Sequence, residues 1–281
     1  MVWHYKKIGI NMKKITRIPR RVCRYIESRR YEKGRYTDRL NILNTDETLE
    51  LLESEKISFL RYGDGEIAIM KGESIPFQKY DKNLAKCLTE LLRVDQAGLK
   101  IGIPYYYTHP VKNLNDFVLR FAKSLSEQRK FLCRYCTKDI TYIDTAITQV
   151  YQTYEKYDFE NYYKRMQNLL ENRDVTIICG EGVLERLEYK AFTVCKTVEF
   201  ITAPSINAYE KYEEILAEAL KTDKHRLICV ILGPTAKVLV RDLYSNGYQA
   251  WDLGHYFKDY DSYMKKRPRT DDEITRFYKP D

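Results

Sequence analysis

The sequence predicts an α/β protein: a Rossmann-like, mostly parallel sheet flanked by helices, forming one domain behind a basic N-terminal arm. Three observations predict it. Segments of strand length are apolar nearly throughout, as in Val175-Thr-Ile-Ile-Cys179 and Arg226-Leu-Ile-Cys-Val-Ile-Leu232, the pattern of strands covered on both faces. They alternate with segments of helical period. They also end in Gly, Pro or small polar residues, which suits loops outside the carboxyl ends of an open parallel sheet.

The elements follow in order. Asp46–Glu55 reads as a helix, capped by Thr45 or Asp46 and acidic in its first turn. Ile57–Arg61 is a short strand that runs into Tyr62-Gly63-Asp64-Gly65-Glu66. Asp81–Val94 places Leu84, Cys87, Leu88, Leu91 and Leu92 on one side of a helix. Leu99–Ile103 is a strand stopped by Pro104, and Leu114–Arg134 is helical. Residues 137–157 are rich in Tyr and Thr and fit neither period. Tyr162–Leu170 is a helix, and strands follow at Asp174–Cys179 and Val198–Thr202. A helix at Ala208–Leu220 precedes a strand at Arg226–Leu232. A helix at Ala236–Tyr244 is closed by Asn246-Gly247, and the last strand is Tyr248–Asp252.

Charge divides the chain. Its 281 residues carry 48 Lys and Arg against 40 Asp and Glu. Residues 1–36 hold twelve basic and two acidic residues, so the arm is +10 and the rest, with 36 basic and 38 acidic, is −2. We read residues 1–40 as arm and 41–281 as the folded domain. A nucleic-acid partner is not expected, because the folded part lacks the basic face. The arm mixes Ile8, Ile10, Ile15, Ile18, Val22 and Ile26 with its cations, which suits an anionic membrane surface or a partner enzyme. No apolar run approaches the roughly 18 residues of a membrane span, and the N-terminus lacks the apolar core of a secretory signal. Seven cysteines, an odd and scattered set, point to reduced thiols in the cytoplasm. A cytoplasmic location is therefore expected, with the arm offering peripheral contact to the inner face of the membrane. Cys133 and Cys136 form a lone CxxC, read as packing residues. The 25 tyrosines suggest surface packing and sugar stacking.

Candidate chemistry sits at the strand ends. Asp64 and Glu66 are carboxylates one glycine apart; in an extended segment both project to one side and reach one hard cation, Mn2+ or Mg2+. An Asp-Gly turn is the bland alternative. Gly180-Glu181-Gly182, Pro204-Ser205-Ile206-Asn207 and Gly233-Pro234-Thr235 offer amides and helix starts to phosphate. There is no GxGxxG and no phosphate-loop lysine motif. His255 is one of four histidines; it is a phosphate contact, a general base or a helix cap. Glu181 is a base, a ribose ligand or a solvated turn residue. Asn207 is a ligand contact or an N-cap. Tyr105-Tyr106-Tyr107 can stack on a base or a sugar.

Five segments together resemble one family. Ser58-Phe-Leu-Arg-Tyr-Gly-Asp-Gly-Glu66, Gly102-Ile-Pro104, Pro204-Ser-Ile-Asn-Ala-Tyr209, Leu232-Gly-Pro-Thr-Ala236 and Asp252-Leu-Gly-His255 are similar, in order and spacing, to the signatures of the GT-D glycosyltransferases. The chain departs from that pattern at Asp144-Thr145 and at Val183-Leu184, where the family carries Ser-Arg; only Arg186 corresponds. The resemblance implies a nucleotide-sugar donor, a UDP-sugar, and a divalent cation at Asp64 and Glu66. It implies sugar transfer to a growing glycan, glycoprotein or lipid-linked acceptor of a bacterial surface. Donor contacts are then expected at Arg61, Gly63, Gly65, Gly180, Pro204, Ser205, Asn207, Gly233 and Thr235, with Glu181 or His255 taking the acceptor proton. The rival expectation is a non-catalytic scaffold of a glycan-assembly complex.

Overall fold

The computed structural model describes residues 40–279 together with Val22, Tyr25, Ile26, Arg29 and Arg30 of the arm, which are helical and exposed. The other expectations for the arm lie outside the described residues. No helix of the described residues is long and apolar enough to cross a membrane.

Among the described residues, eight parallel strands form one sheet. They are β1 (Asn41–Ile42), β2 (Ser58–Arg61), β3 (Leu99–Ile103), β4 (Thr141–Asp144), β5 (Asp174–Gly180), β6 (Thr197–Ala203), β7 (Leu227–Ile231) and β8 (Gln249–Asp252). Their spatial order is β1-β4-β3-β2-β8-β7-β5-β6, so the two halves of the chain meet where β2 pairs with β8 at Phe59 and Trp251. β2 and β8 are buried at every residue. That is possible only with helices on both faces, which explains why these strands are apolar without alternation. β6 is an edge strand and is largely exposed.

Within residues 40–279, eleven helices flank the sheet: α1 (Thr45–Ser54), α2 (Asp64–Met70), α3 (Lys82–Leu91), α4 (Asp116–Ser124), α5 (Ser126–Cys133), α6 (Val150–Thr153), α7 (Phe159–Asn168), α8 (Tyr212–Ala219), α9 (Thr235–Ser245), α10 (Tyr256–Met264) and α11 (Asp271–Phe277). Against one face, α9 packs on β2, β7 and β8 beside α3 and α8. Short polar side chains start the helices. Asn44 caps α1 in a capping box with Glu47, in place of the expected Thr45 or Asp46. Asp81, Asn115 and Asp158 cap α3, α4 and α7.

Several expectations change. The helix expected over 114–134 is two, α4 and α5, broken at buried Leu125. The ambiguous 137–157 stretch is β4, a 3-10 turn and the single-turn α6. The helix expected from Ala208 starts as a 3-10 turn, with α8 beginning at Tyr212. Above all, Asp64–Glu66 is not extended: these residues form the first turn of α2.

The tyrosines are interior more than surface. Tyr151, Tyr154, Tyr157, Tyr162, Tyr163, Tyr256, Tyr260 and Tyr263 pack ring on ring with Phe159. Buried hydroxyls donate to main-chain carbonyls, as Tyr62 does to Leu88 and Tyr142 to Leu92. A tyrosine thus brings phenylalanine-sized burial and closes an open carbonyl. Cys133 and Cys136 are in no disulfide, and burial pushes Cys136 up to about 12.

Candidate active site

The carboxyl ends of β2, β3, β5, β6, β7 and β8 surround a cavity of about 520 Å³. It lies at the junction that the strand order sets up, the position where open α/β sheets bind ligands. Arg61, Gly63, Asp64, Gly65, Glu66, Gly180, Glu181, Ser205, Gly233 and His255 all line it. The structure thus brings these sequence-predicted residues together around one cavity. Pro204, Asn207 and Thr235 are not part of the wall. Asn207 adopts a left-handed φ of 57°. Its side-chain oxygen accepts from the Lys79 amide, and its own amide donates to Phe77 O. It clamps the 71–80 loop and neither touches the cavity nor caps a helix with its side chain. Thr235 is fully buried, its hydroxyl facing the Gln78 side chain at 3.4 Å.

Four charged side chains form the floor. Asp252 at the end of β8 accepts from the Arg61 amide (3.1 Å) and from Arg61 Nη2 (3.2 Å), while Arg61 Nε donates to the Asp252 carbonyl at 2.7 Å. Lys237, in the first turn of α9, places Nζ 3.0 Å from Asp252 Oδ2 and 2.9 Å from Glu66 Oε1. It also donates to the Gly233 carbonyl at 2.9 Å. Glu66 Oε2 accepts the Gly63 amide at 2.8 Å. All four residues are buried, between 0 and 7% exposed. Burial works against the charge on Asp252, but Arg61 and Lys237 outweigh it and hold its carboxyl below the usual range. The two cations and two anions balance, so the floor is rigid and close to neutral.

Lys237 and Asp252 were missed as site residues. The available signal was a lysine in the first turn of a helix that starts at a strand end. The helix dipole disfavours a cation there, so a partner of opposite charge had to be near.

Arg61 is held in place by glycine. Gly254 has a φ of +44°, and a Cβ there would stand 1.5 Å from Arg61 Nη2. Both the backbone and the guanidinium packed across it exclude a side chain. Gly180 has a similar role: its Cβ would meet Ser205 Cα at 2.6 Å. That close crossing joins the β5 and β6 loops.

Asp64 differs from Glu66. Its side chain is open to the cavity and makes no ion pair among the described residues. It is nevertheless recessed enough that dehydration, with the neighbouring Glu66 charge, raises its pKa. His255 stands at the start of α10 with its ring against Phe277 and Tyr278. Burial first, then Arg61, Lys258 and Lys237, push it down to about 3. It is neutral at physiological pH and, in this state, a weak acceptor of a full proton. Glu181 is exposed on the rim. Of the Tyr105–Tyr107 run, Tyr106 and Tyr107 line the cavity, whereas Tyr105 stacks on His109 at 4.3 Å. Of the two departures from the family pattern, Asp144 is an internal brace. It accepts from Thr45 Oγ1, the Tyr105 amide and the Ala146 amide. At the second departure, Val183 and Leu184 line the cavity together with the corresponding Arg186.

The two carboxylates are unequal candidates for a divalent cation. Both oxygens of Glu66 already hold donors, Lys237 Nζ and the Gly63 amide. Asp64 has the character that a cation would relieve: a recessed carboxylate, penalised for its charge, with no counter-ion among the described residues. Mg2+ and Mn2+ commonly take one or two protein carboxylates and complete their shell with phosphate oxygens and water, so the residues fit a cation bound chiefly through Asp64.

Known proteins resemble this arrangement. The chain is 29% identical over 235 residues to Glycosyltransferase GlyD of Streptococcus pneumoniae, covering 83% of this chain and 29% of that protein. It is 30% identical over 227 residues to a probable glycosyl transferase, Gly, of Streptococcus gordonii, covering 79% of this chain and 33% of that one. The chain thus spans about a third of the length of these curated relatives. It is similar to a solved structure of the domain of unknown function 1792, described as having a distinct glycosyltransferase fold. There the TM-score is 0.78 at 30% identity, over 86% of each chain. A second solved structure, a glycosyltransferase of the same domain from Streptococcus sanguinis, gives a TM-score of 0.76 at 28% identity, over 81% of this chain and 86% of that one. The sequence profile of the family described as glycosyltransferase GT-D fold matches residues 59–273, well over half of the chain, and with Arg61, the Asp64–Glu66 turn, Lys237 and Asp252 all inside that span, the chain belongs to the GT-D-fold glycosyltransferases.

Proposed function

We propose that this chain transfers a sugar from a nucleotide-sugar donor, a UDP-sugar, to a glycan, glycoprotein or lipid-linked acceptor with the help of Mn2+ or Mg2+. The observation that carries the reading is Asp64: a recessed carboxylate at the cavity with no ion pair among the described residues, beside a Glu66 whose two oxygens already hold donors. The cation, when bound, neutralises the negative charge that builds on the departing diphosphate.

The chain's own residues do the rest. Glu66 adds negative potential in the same helical turn as Asp64, and Lys237 and Arg61 fix that turn against β8. The amides near Gly180 and Gly233 and the N-terminus of α9 favour the donor phosphates. Lys258 and Arg186 line the same cavity and add positive charge beside them. Glu181 on the rim takes the proton of the attacking hydroxyl. His255, neutral, orients the donor or acceptor by a hydrogen bond. The basic arm holds the enzyme at an anionic membrane or a partner enzyme on the cytoplasmic side.

A screen of nucleotide sugars tests this. At least one UDP-sugar should raise the melting temperature in the presence of Mn2+ and be slowly hydrolysed. If no nucleotide sugar binds or is hydrolysed with any divalent cation, the reading fails and a scaffold role takes its place.

A further inference from the structure

The two edges of the sheet are unlike. β1 is two residues long, too short to serve as a template for another strand. β6 is seven residues long, and no strand among the described residues pairs with its outer side. Its main chain is open there in a defined pattern. The Ala203 carbonyl accepts the Glu181 amide from the β5 side. Main-chain groups turn to alternate sides along a strand, so those of Val198, Phe200 and Thr202 point outward.

Edge strands of monomers are commonly guarded by a proline, a lysine, a bulge or a covering loop. β6 contains no proline, glycine or basic residue, and its register with β5 is unbroken from Thr197 to Ala203. Its one charge, Glu199, is answered by Arg226 at 3.2 Å. At its midpoint Phe200 is 52% exposed. One side of that ring meets Phe192 at 5.8 Å, and Phe192 meets Phe257 of α10 at 5.2 Å. A lone exposed phenylalanine is ordinary. Here it is held by neighbouring rings at the centre of an open, neutral strand, so one segment supplies both main-chain partners and an aromatic anchor.

We propose that β6 is the interface with a second copy of this chain, paired antiparallel about a twofold axis at Phe200. A twofold contact needs a patch that complements itself. With the axis at Phe200, Val198 of one protomer faces Thr202 of its partner and Phe200 faces Phe200. The outward main-chain groups then meet one another along the whole strand. Glu199 falls opposite Ile201 of the partner, so no two glutamates stand directly opposed. Charge also favours a like partner. The edge is neutral once Glu199 is paired, and residues 37–281 carry only −2, so two copies repel little and no oppositely charged partner is called for. The paired sheet runs through both protomers, with the two cavities opening at its opposite ends.

Sedimentation velocity of the whole protein tests the proposal. Wild type should pass from monomer to dimer with a dissociation constant on the order of 10 µM, which suits an interface at the small end of the specific range. Phe200→Lys and Phe200→Glu should each weaken the dimer at least about tenfold, because a charge at this position faces its own copy across the axis. An equimolar mixture of the two variants should recover the dimer, since a cation then faces an anion. Thr202→Lys, at an exposed position away from the axis, should weaken association as well and guards against a folding defect at Phe200. The proposal is overturned if wild type stays monomeric at roughly 100 µM, if the charged variants dimerise as wild type does, or if their mixture stays monomeric. A monomeric wild type would leave the edge to residues 1–36 or to a different protein.

Discussion

Replacing Lys237 by methionine keeps the length and apolar stem of the side chain and removes only its charge. In the native floor Nζ touches Glu66 Oε1 at 2.9 Å, Asp252 Oδ2 at 3.0 Å and the Gly233 carbonyl at 2.9 Å, at 3% exposure. Arg61 still serves Asp252 after the change, but Glu66 keeps only the Gly63 amide. Removing one partner of a buried ion pair typically costs about 3–5 kcal/mol, because the other charge stays buried. For a domain of this size each kcal/mol lowers the melting temperature by roughly 2–4 °C, so Lys237→Met should melt roughly 6–20 °C below wild type. Circular dichroism on heating reads this directly. Adding Glu66→Gln should recover part of the loss, since the stranded anion is then gone; a coupling of roughly 0.5–3 kcal/mol is expected. A loss under about 1 kcal/mol, the size of a surface pair, with no coupling to Glu66, would refute the closed four-charge floor.

Gly254→Ala should cost more than an ordinary Gly→Ala change, because a Cβ 1.5 Å from Arg61 Nη2 displaces the guanidinium; a melting temperature equal to wild type would contradict the packing. Asp259 is fully buried and accepts from the Tyr163 hydroxyl and the Tyr151 and Gln152 amides, and burial raises it to about 7. Its folded pKa lies above the unfolded value, so it favours the folded state at low pH. Its stability cost grows as pH climbs from about 4 to 7, approaching roughly 4 kcal/mol. Denaturant titrations across that window should show Asp259→Asn losing the slope, and an unchanged slope would contradict the assignment. Deleting residues 1–36 should leave UDP affinity intact and weaken binding to anionic liposomes, given roughly 1 kcal/mol per basic residue near such a surface; co-sedimentation reads the outcome, and lost UDP affinity would contradict it.

The sheet was legible because buried parallel strands are apolar on both faces. Asp174–Cys179 and Arg226–Leu232 announce themselves in that way, and they ended as β5 and β7. β1 was not legible, since two residues carry no period. The break at Leu125 was hidden because a leucine fits the helical pattern on either side of it. The cavity wall was readable from glycine and small polar residues at strand ends. The pairing inside it was not. That Glu66 faces Lys237 and that Arg61 is spent on Asp252 depend on β2 and β8 being neighbours, although Arg61 and Asp252 are 191 residues apart in sequence. Asp64-Gly-Glu66 read as an extended pair became a helix start, because Gly63 caps α2 and Glu66 folds back onto its amide. The two carboxylates thereby acquired different surroundings.

The central claim is that Asp64 is the carboxylate through which a divalent cation and a uridine diphosphate are held together. Calorimetric titration of UDP into wild type and into Asp64→Asn, with and without Mn2+, tests it most directly. Wild type should bind UDP on the order of tenfold or more tightly with Mn2+ than without, and Asp64→Asn should lose that increment while binding UDP alone as before. An Asp64→Asn protein that keeps the full Mn2+-dependent gain would contradict the account.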